Sequence, residues 1–511
     1  MTALDRQFAQ LQARLSQAGH IGHAEVNAAT DFAIDANAAG RADLSLAMLE
    51  PLAERAALYA KLWQMLGLAY RDEQHMDKAA EAFERASALA PQDARIALGK
   101  AQIAFERGQP AAQQFAAIRA IAPQDGELAL STASALFHEG DARASEALIA
   151  DMLQRHPEWL RGLEALAATR WMTGDRQDFD YCFAQAVAAR PQDFALRLGW
   201  YRAVAQVENW AKAETIIANA RRTFGDRIEL DAIEANLATE TGDDARAERL
   251  FTACQSLDDP GTKIGCIRHC LRTGQVGRAE EIGLPLTQTA AAAGVWPYMS
   301  TIWRLTGNAQ ARWLDGDQPF VRQYDLPVAD AQLDDLAGLL RALHLMTHHP
   351  PEQSLRGGTQ TQGHLFLRQE PALQAIMSLI LDAVRDYVDS LPPHVDGHPL
   401  LGTARGSLLF EGAWSVRLAA QGFHVVHSHP RGWISSALYV SLPARMGPDK
   451  AGWLQLGAPP PDLRLDLAPY LEIEPKAGRL VLFPSTLWHG TNPFDDGERL
   501  TIAFDMRTPQ R

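Results

Sequence analysis

Three histidines near the end of the chain have the spacing of a metal site. His427 and His429 are separated by one residue, so on a strand both side chains point to the same face and can reach one ion. His489 follows an apolar run, residues 478–484, that predicts a buried strand ending in a turn. Imidazole is a common ligand of first-row transition metals. The spacing therefore predicts that His427, His429 and His489 bind one metal ion.

A carboxylate clamp is predicted beside these histidines. Arg499 comes ten residues after His489, and Thr501 follows at the head of an apolar run. Alternation along a strand places Arg499 and Thr501 on one face, where a guanidinium and a hydroxyl can grip one carboxylate. Tyr439 is a candidate to donate a further hydroxyl to the same ligand, with a core tyrosine as the alternative.

The segments that must position these side chains are short strands. They are predicted at 407–410, 414–419, 433–442, 478–483 and 499–506. Proline-rich loops separate them, and an amphipathic helix at 371–391 precedes them. Several short strands joined by turns, without alternating helices, are typical of a barrel or sandwich. We therefore predict an all-β domain from 316 to 511.

The first half of the chain is a repeat array. One unit has a regularly spaced set of large, small and closing residues: Trp63, Leu66, Gly67, Tyr70, Ala79, Phe83, Ala86 and Pro91. The closing proline recurs at Pro123, Pro157 and Pro191, and a turn glycine recurs at Gly108, Gly140, Gly174 and Gly242. This pattern is similar to the tetratricopeptide repeat, a helix-turn-helix unit of about 34 residues. It implies an all-α solenoid with repeats at 57–260, degenerate N-terminal helices at 1–56, and capping helices with a linker at 261–315.

The C-terminal part resembles the iron and 2-oxoglutarate oxygenase family that is found fused to tetratricopeptide arrays. The matching pieces are 414–416, Gly422, 427–430, 434–435, Tyr439, Pro475, Gly478, 482–485, His489 and 498–499, with a further similar stretch at 353–361. The resemblance implies a double-stranded β-helix (jelly-roll) domain that binds Fe(II), 2-oxoglutarate and O2. In one respect the sequence departs from the family's pattern: the usual triad has Asp or Glu where this chain has His429. A variant with two protein ligands would leave His429 beside the metal rather than on it.

The function implied by the resemblance is a dioxygenase, most simply a hydroxylase. A helical array presents a concave groove, so the expected substrate is a protein or peptide held by the repeats. Two alternatives stay open. One is a cupin-type metalloenzyme without 2-oxoglutarate, although cupins usually add a glutamate that 431–439 lacks. The other is a repeat-based adaptor whose oxygenase domain is inactive.

Net charge, hydropathy and cysteine content argue against several other classes of protein. The net charge of −14 argues against a nucleic-acid binder. No apolar run reaches the roughly 18 residues that a membrane span needs, and the polar N-terminus lacks the core of a signal peptide, so a cytoplasmic protein is expected. The four cysteines are expected to be buried, reduced thiols. Cys266, His269 and Cys270 could share a helix face as ligands, but packing is the preferred interpretation.

Other polar residues are weaker candidates. Arg356 and Gln360 lie in a glycine-rich segment that either lines the substrate pocket or forms a tight turn. His344 and His348 have helical i, i+4 spacing, which can bind zinc, but a partly buried helix end is favoured. His424 is predicted to lie on the opposite face of its strand from His427, away from the metal.

Overall fold

The computed structural model describes residues 2–316 and 320–509. Helices α1 to α19 span Ala3–Gln17, His23–Ala38, Ala42–Ala53, Ala60–Asp72, Met76–Leu89, Ala94–Glu106, Ala112–Arg119, Gly126–His138, Ala142–Arg155, Leu160–Thr173, Tyr181–Ala189, Phe194–Gln206, Trp210–Phe224, Ile228–Thr241, Asp244–Ala253, Pro260–Arg272, Val276–Leu286, Ala292–Thr306 and Gln310–Asp315. The predicted tetratricopeptide-like helical region is therefore confirmed. No described helix is both long and apolar enough to cross a membrane.

Neighbouring helices pack closely because small residues recur at their contacts. A methyl group added at Gly67 of α4 would lie 2.6 Å from the ring of Phe83 in α5, and one added at Gly99 of α6 would lie 2.1 Å from the same ring. Three consecutive helices therefore meet around one phenylalanine. Left-handed glycines end other helices of the array, with Gly174 after α10 and Gly242 after α14.

The chain forms two compact units. One comprises residues 2–148 and 366–370, and its larger core cluster is built from buried residues between Leu15 and Ile103. The other comprises residues 149–316, 320–365 and 371–509, and it contains the later helices together with all the strands of the described chain. The three predicted metal ligands and the predicted clamp belong to this second unit.

The β-domain of the second unit has two antiparallel sheets. Its strands β1 to β9 span Arg322–Asp325, Leu355–Gln360, Phe410–His424, Gly432–Ser441, Leu454–Leu456, Leu471–Ile473, Arg479–Pro484, His489–Thr491 and Arg499–Arg507, and its helices α20 and α21 span Asp330–Leu343 and Pro371–Ser390. The larger sheet has the order β1-β7-β4-β9-β3-β2, and the smaller one has the order β6-β5-β8. The predicted jelly-roll class of fold is confirmed by this antiparallel arrangement.

One predicted strand is wrong. The segment 407–410 is not a strand of its own, because only Phe410 is extended and paired, and it opens the long strand β3. β3 continues beyond the predicted 414–419 to His424 because its second half pairs with β2 across a register shift between Arg356 and Gly358. The strands predicted at 433–442, 478–483 and 499–506 are each found within one residue of the expected bounds.

The last helices of the array and the β-domain share one hydrophobic core. Trp488, in the turn before β8, is buried in a cluster with residues of α14 to α19. Its indole nitrogen donates to Thr301 Oγ1 at 3.1 Å, and its ring meets that of Tyr298 edge-on at 5.2 Å. Nearby, Arg304 donates to the backbone oxygens of Gly457 and Ala468. The segment that leads into His489 is therefore held by α18.

Replacing Trp488 with alanine should destabilise the second unit by about 3–5 kcal/mol, the usual cost of deleting a buried indole. The protein should also retain less metal, because the backbone that leads into His489 loses its anchor. Urea unfolding followed by circular dichroism measures the first effect, and metal analysis after dialysis measures the second. Trp453, which is only half-buried, provides the matched control, and Trp453→Ala should cost less. Equal losses from the two substitutions would contradict the anchoring role.

Candidate metal centre

The three predicted histidines lie together. One ring nitrogen from each of His427, His429 and His489 lies within 4.8 Å of the others, and this is the only such group found among the described residues. The ring centroids are 4.2 Å apart for His427 and His489, and 4.9 Å apart for each of the other two pairs. His427 and His489 also exchange two backbone hydrogen bonds of 2.9 Å, which places their side chains next to each other.

Each of the three imidazoles uses its Nδ1 atom to hold its orientation. His427 Nδ1 lies 2.8 Å from the carbonyl oxygen of Val425, and His489 Nδ1 lies 3.0 Å from that of Leu487. His429 Nδ1 lies 2.7 Å from Asp505 Oδ1. Because an oxygen acceptor fixes the proton on Nδ1, each Nε2 carries the lone pair that can bind a metal. His427 Nε2 lies 3.1 Å from Ser354 Oγ, so this hydroxyl has to turn away when the ring binds an ion. The donor set fits a divalent transition-metal cation.

Burial keeps His427 and His489 in the neutral form. Burial lowers the pKa of His427 to about 3, with the neighbouring His429 as the next cause. Burial also places the pKa of His489 well below its usual range, and both of the other histidines lower it further. A neutral imidazole is the form that binds a metal, so no proton has to leave these two rings before an ion can enter.

Arg499 lies on the same strand as Asp505 and is buried, with 2% of its surface exposed. Its guanidinium donates to the carbonyl oxygen of Gly452 at 2.9 Å and to Thr491 Oγ1 at 3.1 Å, while Nε has no partner within the described part of the chain. No carboxylate of the described chain forms an ion pair with it, and burial lowers the pKa of Arg499. A buried cation without a counter-ion is costly, so this arrangement suits an anionic ligand.

Two hydroxyls are predicted to assist Arg499, Thr501 on the same strand β9 and Tyr439 on the adjacent strand β4. Thr501 is buried and lies directly opposite Tyr439 of β4 in the sheet. The Tyr439 hydroxyl is buried and has no hydrogen-bond partner among the described residues, and burial raises its pKa. An unpartnered buried donor on the face that carries Arg499 is a second sign that a polar ligand belongs here.

The weaker candidates have other surroundings. Arg356 pairs with Glu208 of the helical array and donates to the backbone oxygens of Gln353 and Leu355. Gln360 lies in β2 opposite Val416. The structure thus ties the guanidinium of Arg356 to the segment after α12. Neither Arg356 nor Gln360 belongs to the three-histidine group.

The other histidines do not form a zinc site within the described residues. His344 follows the last residue of α20, so the helical spacing to His348 is lost. Its ring contacts Thr359 Oγ1 at 2.7 Å and Ser415 Oγ at 3.2 Å, and burial lowers its pKa to about 4. The favoured interpretation, a partly buried helix end, agrees with these contacts.

His424, the cysteines and His269 are the remaining polar candidates. The prediction that His424 faces away from His427 is wrong, because β3 ends at His424 and both rings contact Ser354 Oγ at 3.1 Å. All four cysteines are buried and free, as expected. His269 binds Glu248 rather than the cysteines that flank it.

Sequence reasoning missed Asp505 and Trp488. Asp505 continues the alternation that put Arg499 and Thr501 on one face, and that alternation could have identified it. For Trp488 the sequence shows only that it precedes His489, which does not indicate its packing. Its contacts with α18 join parts of the chain that are far apart in sequence, so no local pattern marks them.

Comparison with known proteins identifies two parts of the chain. Residues 412–505 match the family model described as "Putative 2OG-Fe(II) oxygenase", and residues 60–93 match that of the tetratricopeptide repeat. No curated protein matches the chain. Similar solved structures include a tetratricopeptide repeat protein from Parabacteroides merdae, with 15% identity over 46% of this chain and 93% of that one and a TM-score of 0.31. A prolyl-4-hydroxylase from Pseudomonas putida has 18% identity over 37% and 93% of the two chains and a TM-score of 0.27.

Proposed function

We propose that this chain, which carries a 2OG-Fe(II) oxygenase domain and tetratricopeptide repeats, is an Fe(II)- and 2-oxoglutarate-dependent hydroxylase. The observation that carries the proposal is Arg499, a buried guanidinium without a carboxylate partner in the described chain. A dicarboxylate ligand supplies the missing counter-charge with one end and reaches a metal with the other.

The residues of the centre have distinct roles in this proposal. His427 and His489 hold Fe(II) through Nε2, and His429 completes the set. When bound, Fe(II) together with 2-oxoglutarate and O2 supplies the oxidising chemistry, in which the oxoacid is converted to succinate and CO2 and one oxygen atom enters the substrate. The protein would contribute three imidazoles whose orientations are fixed by hydrogen bonds at Nδ1.

The clamp sets the choice of co-substrate. Arg499 donates to the distal carboxylate of 2-oxoglutarate, with Thr501 and the Tyr439 hydroxyl as further donors. A guanidinium held by Gly452 and Thr491 cannot follow a shorter ligand without breaking those two hydrogen bonds. The clamp therefore selects the five-carbon diacid over oxoacids without a distal carboxylate.

The substrate is proposed to be a protein or peptide that the repeats hold. Tetratricopeptide arrays bind partners by stacking helix pairs into an extended surface. In the second unit the helices contact the β-domain at the strand that carries Arg356 and at the turn that carries Trp488. A partner bound to these helices would therefore lie on the same compact unit as the metal centre.

The unpaired Arg499 favours an oxygenase over the two alternatives. A cupin without an oxoacid has no use for a buried guanidinium beside its metal. An inactive adaptor would not be expected to keep three oriented imidazoles and two unsatisfied buried donors, since each unsatisfied group costs about 1–3 kcal/mol of stability. Both alternatives predict that 2-oxoglutarate does not bind.

The direct test is to measure succinate formation from 2-oxoglutarate by the iron-loaded protein. We expect slow turnover without substrate and faster turnover with the true partner. The matched control is 2-oxobutyrate, which keeps the oxoacid but lacks the distal carboxylate, and it should not replace 2-oxoglutarate. If the iron-loaded protein does not bind 2-oxoglutarate, the proposal is wrong.

Replacing Tyr439 with phenylalanine should weaken 2-oxoglutarate binding by about tenfold, because a hydrogen bond to a charged group contributes about 1.5–3 kcal/mol. The stability of the ligand-free protein should not fall, since the hydroxyl has no partner there. Tyr387 provides the opposite control. Its buried hydroxyl donates to the carbonyl oxygen of Phe320 at 2.7 Å. Tyr387→Phe should therefore lower stability and leave 2-oxoglutarate affinity unchanged, as calorimetric titration and thermal unfolding can show.

A further inference from the structure

The three imidazoles are not held in the same way. His427 and His489 are oriented by neutral carbonyl oxygens, whereas His429 is oriented by the carboxylate of Asp505. The position of His429 is the one where related sites have a carboxylate on the metal itself. In this chain a carboxylate is present, but it lies on the far side of the imidazole.

Asp505 is buried and has no lysine or arginine partner in the described chain. Its Oδ1 accepts a hydrogen bond from His429 Nδ1 at 2.7 Å and from Ser435 Oγ at 2.6 Å. A buried carboxylate needs a positive charge nearby, and two hydrogen bonds do not supply one. A divalent ion on the other nitrogen of His429 would supply it.

The surroundings of Asp505 fix the carboxylate in place. Ser435 Oγ also lies 2.8 Å from Ser485 Oγ, and the backbone nitrogen of His429 donates to the carbonyl oxygen of Ser485 at 2.9 Å. Gly432 leaves room for both groups, because an added methyl there would lie 2.5 Å from Ser485 Oγ and 3.1 Å from Asp505. Ser435 and the backbone at Gly432 therefore confine the carboxylate to its place beside His429.

We infer that Asp505 is a positioning residue that acts through His429 and gives the three-histidine centre the negative charge that its ligands lack. The inference rests on the proposed metal site. The carboxylate keeps the proton of His429 on Nδ1, which frees Nε2, and it makes the imidazole a stronger donor to the ion. In the common triad a carboxylate binds the metal directly, whereas in this chain the carboxylate of Asp505 would act on the metal through the ring of His429.

The test uses the full-length, metal-free protein titrated with Co(II). Asp505→Asn keeps the size of the side chain and removes the charge, and it should weaken Co(II) binding by about 10–100-fold and shift the visible absorption bands of the bound ion. The iron form of the same variant should have a more positive Fe(III)/Fe(II) midpoint potential. Ser435→Ala keeps the carboxylate and should therefore have a smaller effect than Asp505→Asn.

Two controls separate this role from a structural one. Asp386→Asn removes a carboxylate that accepts a hydrogen bond from the Tyr324 hydroxyl, and it should not change Co(II) binding. In a double-mutant cycle, adding Asp505→Asn to His429→Ala should produce no further loss, because the carboxylate acts only through that ring. Additive losses in the cycle, or an Asp505→Asn protein with wild-type affinity and spectrum, would overturn the inference. Failure of the wild-type protein itself to bind Co(II) would overturn the metal centre as well.

Discussion

A protein in which His489 is replaced by alanine should not retain iron. Only two imidazoles remain in that variant, which is too few to hold the ion firmly. The missing ring is also the one that the backbone pairing places directly beside His427. His427→Ala should have the same effect for the same reason. Iron content after anaerobic loading and dialysis measures both. His394 is the matched control, because it is exposed and its Nε2 pairs with Asp396, so His394→Ala should retain wild-type iron.

Substitution of His429 tests more specifically whether this ring is a metal ligand. If its ring is a ligand, His429→Asp restores the common triad and iron stays bound. The new carboxylate would lie close to Asp505, however, and two adjacent negative charges repel. We therefore expect the double variant His429→Asp, Asp505→Asn to hold iron better than His429→Asp alone. Iron content and turnover unaffected by His429→Ala would place the ring outside the metal site.

The second large effect is expected at Arg499. Truncating one partner of a buried charge pair costs about 2–5 kcal/mol. At 1.4 kcal/mol per decade, Arg499→Ala should raise the apparent constant for 2-oxoglutarate by at least tenfold while iron stays bound. Arg499→Lys should recover part of the loss, because it keeps the charge but not the planar pair of donors. Steady-state succinate formation as a function of 2-oxoglutarate concentration gives these constants.

The matched control for Arg499 is Arg417, a partly exposed guanidinium on the adjacent strand β3 that pairs with Glu498. Arg417→Ala should leave the constant for 2-oxoglutarate unchanged. A selective rise for Arg499→Ala is specific to an enzyme that binds a dicarboxylate. If both substitutions raise the constant equally, Arg499 acts on the fold and not on the co-substrate.

The sequence was informative where side chains are positioned by local geometry. His427, His429, Arg499 and Thr501 could be assigned to shared faces because neighbouring positions on a strand alternate. The repeat array was predictable for the same reason, since a fixed period reflects contacts between adjacent helices.

The remaining features depend on contacts between distant segments. The partner of His429 is on β9, and the partners of Trp488 are on α18. The error at His424 has a related cause, because alternation predicts faces only while a strand continues, and β3 ends at that residue. Arg499 was recognised as a donor, but only the packed structure reveals that no acidic side chain of the described residues forms an ion pair with it.

The paired backbones of His427 and His489 also constrain the order in which the protein is assembled. These residues are 62 positions apart in the sequence, so the unfolded chain offers a metal only the neighbouring histidines of one short segment. Bringing the third ligand to them requires closure of a long loop, and the pairing of β-strands provides that closure. A metal bound by these histidines would therefore enter after the sheets have formed rather than act as a nucleus for folding. The bound metal would then stabilise a loop that strand pairing has already closed, and its main effect would be to slow unfolding.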